Sequence, residues 1–246
     1  MVSSESLRPL APPLPELSPR AELALLARML HHEGYDDHLA GHITYRQPDG
    51  TLLVNPFGLP WDEVHASDVM RIDRSGTVLD GAWTVTPAIE LHLALHRARG
   101  DVVVAVHNHP RWATIWADMQ RVPPVYDQTS ALVGGEVALF DEWRGAVSDV
   151  TQAEAAVEAL GRAPMALLAN HGVLVVGDSI RQAHLRSITL EWRSRQAWHV
   201  EAAGGGVPIE AATADAFGER VDTKGFTGLL EAMMRRELRR DPSVLD

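Results

Sequence analysis

Apolar positions along the chain alternate between a helical and a strand period, and each switch marks an element. Leu23, Leu26, Ala27 and Leu30 recur at helical spacing behind Ser18-Pro19, a serine N-cap with proline in the first helical position, and the run ends at Gly34. Ile43-Thr44-Tyr45-Arg46 and Leu52-Leu53-Val54 flank Pro48-Asp49-Gly50 and predict a hairpin. Val69 to Ile72 predicts a strand closed by a turn at Ser75-Gly76. Thr86-Pro87 predicts the start of a second helix, running to Gly100 with Ala88, Leu91, Leu95 and Ala98 on one face. The unbroken run from Val102 to Val106, almost all β-branched, predicts a strand buried on both faces and stopped by Pro110.

Beyond it, Arg111 to Met119 predicts a short helix whose Trp112 and Trp116 serve the core or a subunit contact, and a strand is expected around Glu136 to Phe140. Thr151-Gln-Ala-Glu154 has the form of a capping box and predicts a helix from Gln152 to Leu160. Met165 to Ala169 and Val173 to Val176 predict two core strands joined at Asn170-His171-Gly172. Ser179 to Gln182 is a second box, opening a long helix toward Val200 that Gly204-Gly205-Gly206 ends. A glycine- and alanine-rich linker and an amphipathic helix from Phe226 to Arg239 are expected to complete the chain. Three parts follow: a proline-rich extended arm (1–17), one main domain (18–206), and a linker with a C-terminal helix (207–246).

Composition narrows the function. Of 246 residues 46% are hydrophobic, enough for a sizeable core, and the net charge is −11 with dispersed basic residues, which argues against nucleic acid or an anionic membrane as partner. The absence of cysteine removes disulfides, thiolate sites and thiol nucleophiles, makes the cytoplasm the expected compartment, and leaves histidine, carboxylate or water to hold any metal. No run approaches the ~18 apolar residues of a membrane span, and the prolines of the leading segment do not suit a secretory signal.

Candidate chemistry centres on Val102–Pro110. In a strand of period two, His107 and His109 project from one face, within reach of a single ion, while Asn108 points the other way. By itself this spacing fits two hydrogen-bonded histidines at a strand end equally well. His171 occupies a tight turn where asparagine, aspartate or glycine is usual, and with the other two it would complete a three-histidine site with open positions. His92 and His96 also lie four apart on a helix, but H-L-A-L-H lacks the glutamate of H-E-x-x-H, so a polar stripe or packed contact is expected there. Gly41 and Gly58 are candidate places where backbone comes close to a substrate.

G-H-I-T-Y-R, N-P-F-G, A-S-D-V-M-R-I-D-R-S-G, H-x14-H-N-H-P and L-L-A-N-H-G-V-L-V-V-G occur in this order between Pro19 and Gly205, and in them the chain resembles the class II aldolase/adducin family. The resemblance implies an α/β fold, three-layer α/β/α with a central mixed, largely antiparallel sheet, and a homo-oligomer, commonly a cyclic tetramer with active sites between subunits. It also implies that His107, His109 and His171 ligate one divalent metal ion, zinc first, iron or manganese otherwise.

Several family positions are altered. The glutamate acid/base of the sugar-phosphate aldolases falls on Ala88, and Glu90 is about 200° away around a helix. Their two phosphate-binding serines fall on Thr86 and Pro87, an asparagine on His42, a threonine on Phe57, and a tyrosine contributed across the subunit boundary on Gln128. The pattern resembles the adducin-like branch, which includes decarboxylases and iron oxygenases. The expected function is a metal-dependent lyase acting on a non-phosphorylated hydroxy- or keto-acid, by retro-aldol cleavage or decarboxylation through a metal-stabilised enediolate. A non-heme iron oxygenase on the same histidines and a non-catalytic scaffold are the alternatives. His42, Tyr126 and Asp127 are the candidate proton-transfer groups, with Glu90 behind them; Gly41, Gly58, Arg111 and Gln128 are the candidate substrate contacts, Arg111 as partner of a substrate carboxylate.

Overall fold

A computed structural model describes residues 12–143, 150–224 and 226–246. Most of the expected N-terminal arm lies outside them. Its described end, 12–17, is neither helix nor strand; Leu14 and Leu17 pack on the main core, and the Pro12 carbonyl accepts a bond from Arg235.

Helix α1 (Pro19–His32) starts as expected, with the Ser18 hydroxyl accepting from the Ala21 N–H at 3.2 Å. Strands β1 (His42–Arg46) and β2 (Leu52–Val54) form the expected hairpin, with Thr44 opposite Val54. Strand β3 (Met70–Ile72) continues the meander into β4 (Val78–Asp80), an exposed strand whose short apolar pair gave no period to recognise.

Helix α2 spans Glu90–Ala98 and so starts later than Thr86-Pro87 predicts: Thr86 to Ile89 form a tighter turn, in which Ile89 N–H bonds Thr86 O and Ala88 N–H bonds the Thr86 hydroxyl. Strand β5 (Val104–Asn108) is buried along its whole length, and α3 (Arg111–Asp118) follows directly. Strand β6 is Ala138–Phe140. Helix α4 (Val150–Leu160) already includes Thr151, so this threonine does not cap it, and the preceding residues lie outside those described. Strands β7 (Met165–Leu168) and β8 (Gly172–Gly177) match the two apolar runs.

Helix α5 (Ile180–Ala202) is capped by Ser179 as expected, although the Gln182 side chain reaches the Asp178 N–H instead of that of Ser179. The segment expected as linker contains a helix, α6 (Ala211–Lys224); its small alanines leave little apolar periodicity to detect. Helix α7 (Leu229–Arg240) and a final turn, Pro242–Leu245, complete the chain.

The strands form one sheet in the order β4-β3-β2-β1-β5-β8-β7-β6, antiparallel throughout except for β6 beside β7. Side-chain alternation divides its faces. Ile43, Val104, Val106, Val173 and Val175 join α1, α3 and α5 in one core, whereas Ala105, Leu174, Val176, Ala166 and Leu168 pack with Leu91, Leu95, Ala153 and Ala156 of α2 and α4 in another. This is the expected three-layer α/β/α architecture with a mixed, largely antiparallel sheet. Among the described residues no helix is long and apolar enough to cross a membrane.

Candidate metal centre

The sheet brings the three expected histidines together. His107 is the penultimate residue of β5, His109 lies just past its end, and His171 sits at the tip of the β7–β8 turn, entered through Asn170 at φ 54° and closed by a bond from His171 N–H to Leu168 O. Ring centroids lie 4.8 Å apart for His107–His171 and His109–His171 and 5.2 Å for His107–His109, and one nitrogen from each falls within 4.8 Å of the others. Close approach of the chain here needs Gly172: a Cβ at that position would come within 2.5 Å of Asn108 O and of His109 Cδ2.

Hydrogen bonds orient the rings. His107 Nδ1 lies 2.8 Å from Val173 O, and since a carbonyl only accepts, the proton sits on Nδ1 and the lone pair on Nε2. His109 Nδ1 lies 2.7 Å from Asp37 Oδ2, with the same consequence, and His109 Nε2 is buried without a partner. Burial alone would raise the Asp37 carboxyl, but hydrogen bonds from His109 and His38 outweigh it and hold it below the ordinary range. Burial, reinforced by the neighbouring imidazoles, holds His107 well below the usual histidine value and His171 at about 4. The group therefore offers three imidazole nitrogens, two of them on rings whose Nδ1 is held by an acceptor, a set suited to a borderline divalent ion. Asp37 had no sequence signal, because its partner lies far along the chain.

His42 joins this group from β1: it faces His107 across the β1–β5 pair, with ring centroids 5.1 Å apart, and burial followed by the His109 and His171 charges lowers it to about 3. Its Nε2 is buried and unpartnered. Behind it lies His92, at 4.1 Å between centroids. His92 and His96 do not converge on an ion; both rings bond the Thr44 hydroxyl at 2.8 Å, which makes them the packed contact expected.

Gly41 adjoins this group, and the remaining candidates lie elsewhere. Gly41, at φ 88°, is required by the chain itself, since a Cβ there would meet Asn108 Nδ2 at 2.3 Å and His107 O at 2.7 Å; a Cβ on Gly58, at φ 104°, would meet nothing. Asp127 accepts from the Ser130 N–H and hydroxyl and from Trp192 Nε1, so its carboxylate closes a turn. Tyr126 packs on the main core and against Gly206, and Glu90 pairs with Arg97. Arg111 and Gln128 line a separate cavity of about 660 Å³ with Trp112, Trp192 and Glu191, and none of the three histidines forms its wall. Glu191 accepts the Trp112 and Ala113 N–H groups at 2.9 Å, and burial, opposed by those bonds, pushes it up to about 7. Trp116 is a core residue bonded to Ser194 O, while Trp112 rests on Trp198 and His199 at the surface.

A family model described as the class II aldolase and adducin N-terminal domain matches residues 21–198. The 3,4-dihydroxyphthalate decarboxylase of Arthrobacter keyseri is 30% identical over 210 residues, covering 78% of this chain and 83% of that protein. The 4-hydroxy-3-prenylphenylpyruvate oxygenase/4-hydroxy-3-prenylbenzoate synthase of Streptomyces roseochromogenus subsp. oscitans is 29% identical over 203 residues, covering 80% and 73%. Among solved structures, the L-fuculose 1-phosphate aldolase from Glaciozyma antarctica PI12 has a TM-score of 0.82 at 25% identity, covering 92% of this chain and 91% of that one.

Proposed function

Because the chain belongs to the class II aldolase and adducin family, we propose that it is a metal-dependent carbon–carbon lyase, of aldolase or decarboxylase type, acting on a non-phosphorylated hydroxy- or keto-acid. The observation that carries this reading is the three-imidazole group whose Nδ1 protons, on His107 and His109, are tied to Val173 O and Asp37, freeing Nε2 for an ion. His107, His109 and His171 would hold one divalent ion, zinc first. When bound, such an ion supplies Lewis-acid stabilisation of the negative charge that carbon–carbon cleavage leaves on substrate oxygens.

The chain's own residues divide the remaining work. Burial keeps His42 neutral beside His107, so it can hydrogen-bond substrate and take up a proton once negative charge develops next to it. Asp127 and Tyr126 are held by Ser130, Trp192 and the core, which leaves His42 as the proposed proton-transfer group. Ala88 provides no carboxylate, and Thr86 and Pro87 replace the family's phosphate-binding serines, which supports an acid without phosphate as substrate. The decarboxylase relative supports the same class. Arg111 and Gln128, in their separate cavity, are proposed to reach substrate only through assembly of a homo-oligomer, a tetramer in this proposal.

Metal content by plasma mass spectrometry, on protein purified without chelator or added metal, tests the reading. Near-stoichiometric zinc, manganese or cobalt is expected. Iron would transfer the proposal to an oxygenase, as in the Streptomyces relative, and oxygen uptake would then be the assay. No metal, and none taken up on titration, would overturn the enzyme in favour of a scaffold.

A further inference from the structure

Four residues behind His42 form a chain of hydrogen bonds whose direction is fixed at its outer end. The Arg46 guanidinium has donors and no acceptor, and its Nη2 lies 3.0 Å from His96 Nδ1. Arg46 Nη2 shares its two N–H groups among this nitrogen and the His96 and Arg99 carbonyls, at 2.8 and 3.1 Å. Because it cannot accept, His96 Nδ1 faces it with a lone pair, which puts the proton of the neutral His96 ring on Nε2. His96 Nε2 lies 2.8 Å from Thr44 Oγ1 and donates to it. The hydroxyl, which among the described residues has only these two rings as hydrogen-bond partners, is then free to give its single proton to His92 Nδ1, also at 2.8 Å. With that direction His92 Nδ1 accepts and the ring's own proton is on Nε2, an atom that is fully buried and has no hydrogen-bond partner. Burial lowers both rings, His96 to about 3, in keeping with their neutrality. The His92 ring packs at 4.1 Å and 52° against His42.

We infer that Arg46, His96, Thr44 and His92 form a one-way donor chain that locks His92 as its Nε2–H tautomer and, through it, holds the His42 ring in one orientation beside the three-histidine group. Thr44 and His92 are positioning residues for His42. The Arg46–His96 link cannot reverse, because Arg46 has no lone pair with which to accept; the His92 link is set by where the Thr44 hydroxyl sends its single proton, and that link is what the experiment reads. His92 can accordingly neither ligate an ion through Nε2 nor exchange roles with His42. The purpose assigned to the chain rests on the proposed role of His42; its existence does not.

Long-range proton–nitrogen correlation on metal-free full-length protein labelled with 15N-histidine, assigned with His92→Asn and His42→Asn, reads each tautomer directly. Wild type is expected to show His92 and His96 with protons on Nε2 and a single set of His42 signals. Thr44→Val, which removes the hydroxyl at nearly constant shape, should give His92 a mixture of tautomers and broaden or double the His42 signals, and Thr44→Ser should restore the single set. A wild-type His92 protonated at Nδ1, a measurement that needs no Thr44 variant to fold, would overturn the inference. So would a folded Thr44→Val protein with wild-type His92 and His42 signals. Metal uptake by the wild type is a separate measurement, so loss of the proposed lyase leaves this result standing, and the converse.

Discussion

Two groups of histidines meet at His42, and they differ in what touches Nδ1. In front, His107 and His109 present Nδ1 to acceptors, a carbonyl and a carboxylate. Behind, His92 and His96 present Nδ1 to donors, the Thr44 hydroxyl and the Arg46 guanidinium. An acceptor at Nδ1 leaves a lone pair at Nε2, which is a ligand; a donor at Nδ1 leaves an N–H, which can only donate. The polarity of one neighbour each thus divides identical side chains into the proposed metal-holding and ring-holding roles.

The largest test of this contrast is to remove a front histidine. His171→Ala is expected to abolish stoichiometric zinc binding in calorimetric titration while circular dichroism keeps the native spectrum; one equivalent still bound tightly would take His171 out of the set. His92→Asn, its counterpart behind, should retain that equivalent. Removing the acceptor alone is milder: Asp37→Ala should weaken zinc binding by about 10- to 100-fold, because the His109 tautomer is no longer fixed. An unchanged affinity would mean that the carboxylate does not set the ring.

Acid should act on both groups in the same direction. His42 and His96 at about 3 and His171 at about 4, together with His184, a buried histidine of α5 outside both groups, at about 4, lie below the 6.5 of an unfolded histidine, so the unfolded chain takes up protons first. Their stabilisation is full above pH 6.5 and is lost as pH falls through their folded values, each at up to about 1.4 kcal/mol per pH unit. Glu191, raised from 4.5 to about 7 by burial, works oppositely and stabilises the acid side, but it is one group against four. Urea unfolding of metal-free protein should therefore show stability falling between pH 6.5 and 4, and a flat profile would contradict the burial of these rings. The smallest effect belongs to Gly58, which touches neither group: Gly58→Ala should cost about 1 kcal/mol for its left-handed backbone and leave zinc affinity unchanged.

How much of this was legible in the sequence follows from the range of each interaction. The β-branched run before His107, the apolar pairs around Asn170-His171-Gly172 and the Ser18 and Ser179 caps are local patterns, and each appears where it was expected. Helix α6 and strand β4 carry little apolar period and were not recognised, while Thr151 shows that a box-like spelling can fall inside a helix that begins earlier. The three front histidines were identified as a set because family motifs enclose them. Their orienting partners were not: Asp37, Val173, Thr44 and Arg46 reach the histidines across strands, and no spacing rule links residues so far apart. Arg111 was expected beside the histidines because it follows them in the chain, but α3 turns it into another cavity.

The position of β5 and β8 inside the eight-stranded order has a consequence in time. Both strands are paired along both edges, so their amides should be among the last to exchange with solvent and should open only with the whole sheet. His107 cannot retreat without that global event, whereas His171 stands outside the strands, in the turn between β7 and β8. An ion held by the three would leave through the His171 side, and its residence time would be set by the fluctuation of one hairpin tip, not by the stability of the protein.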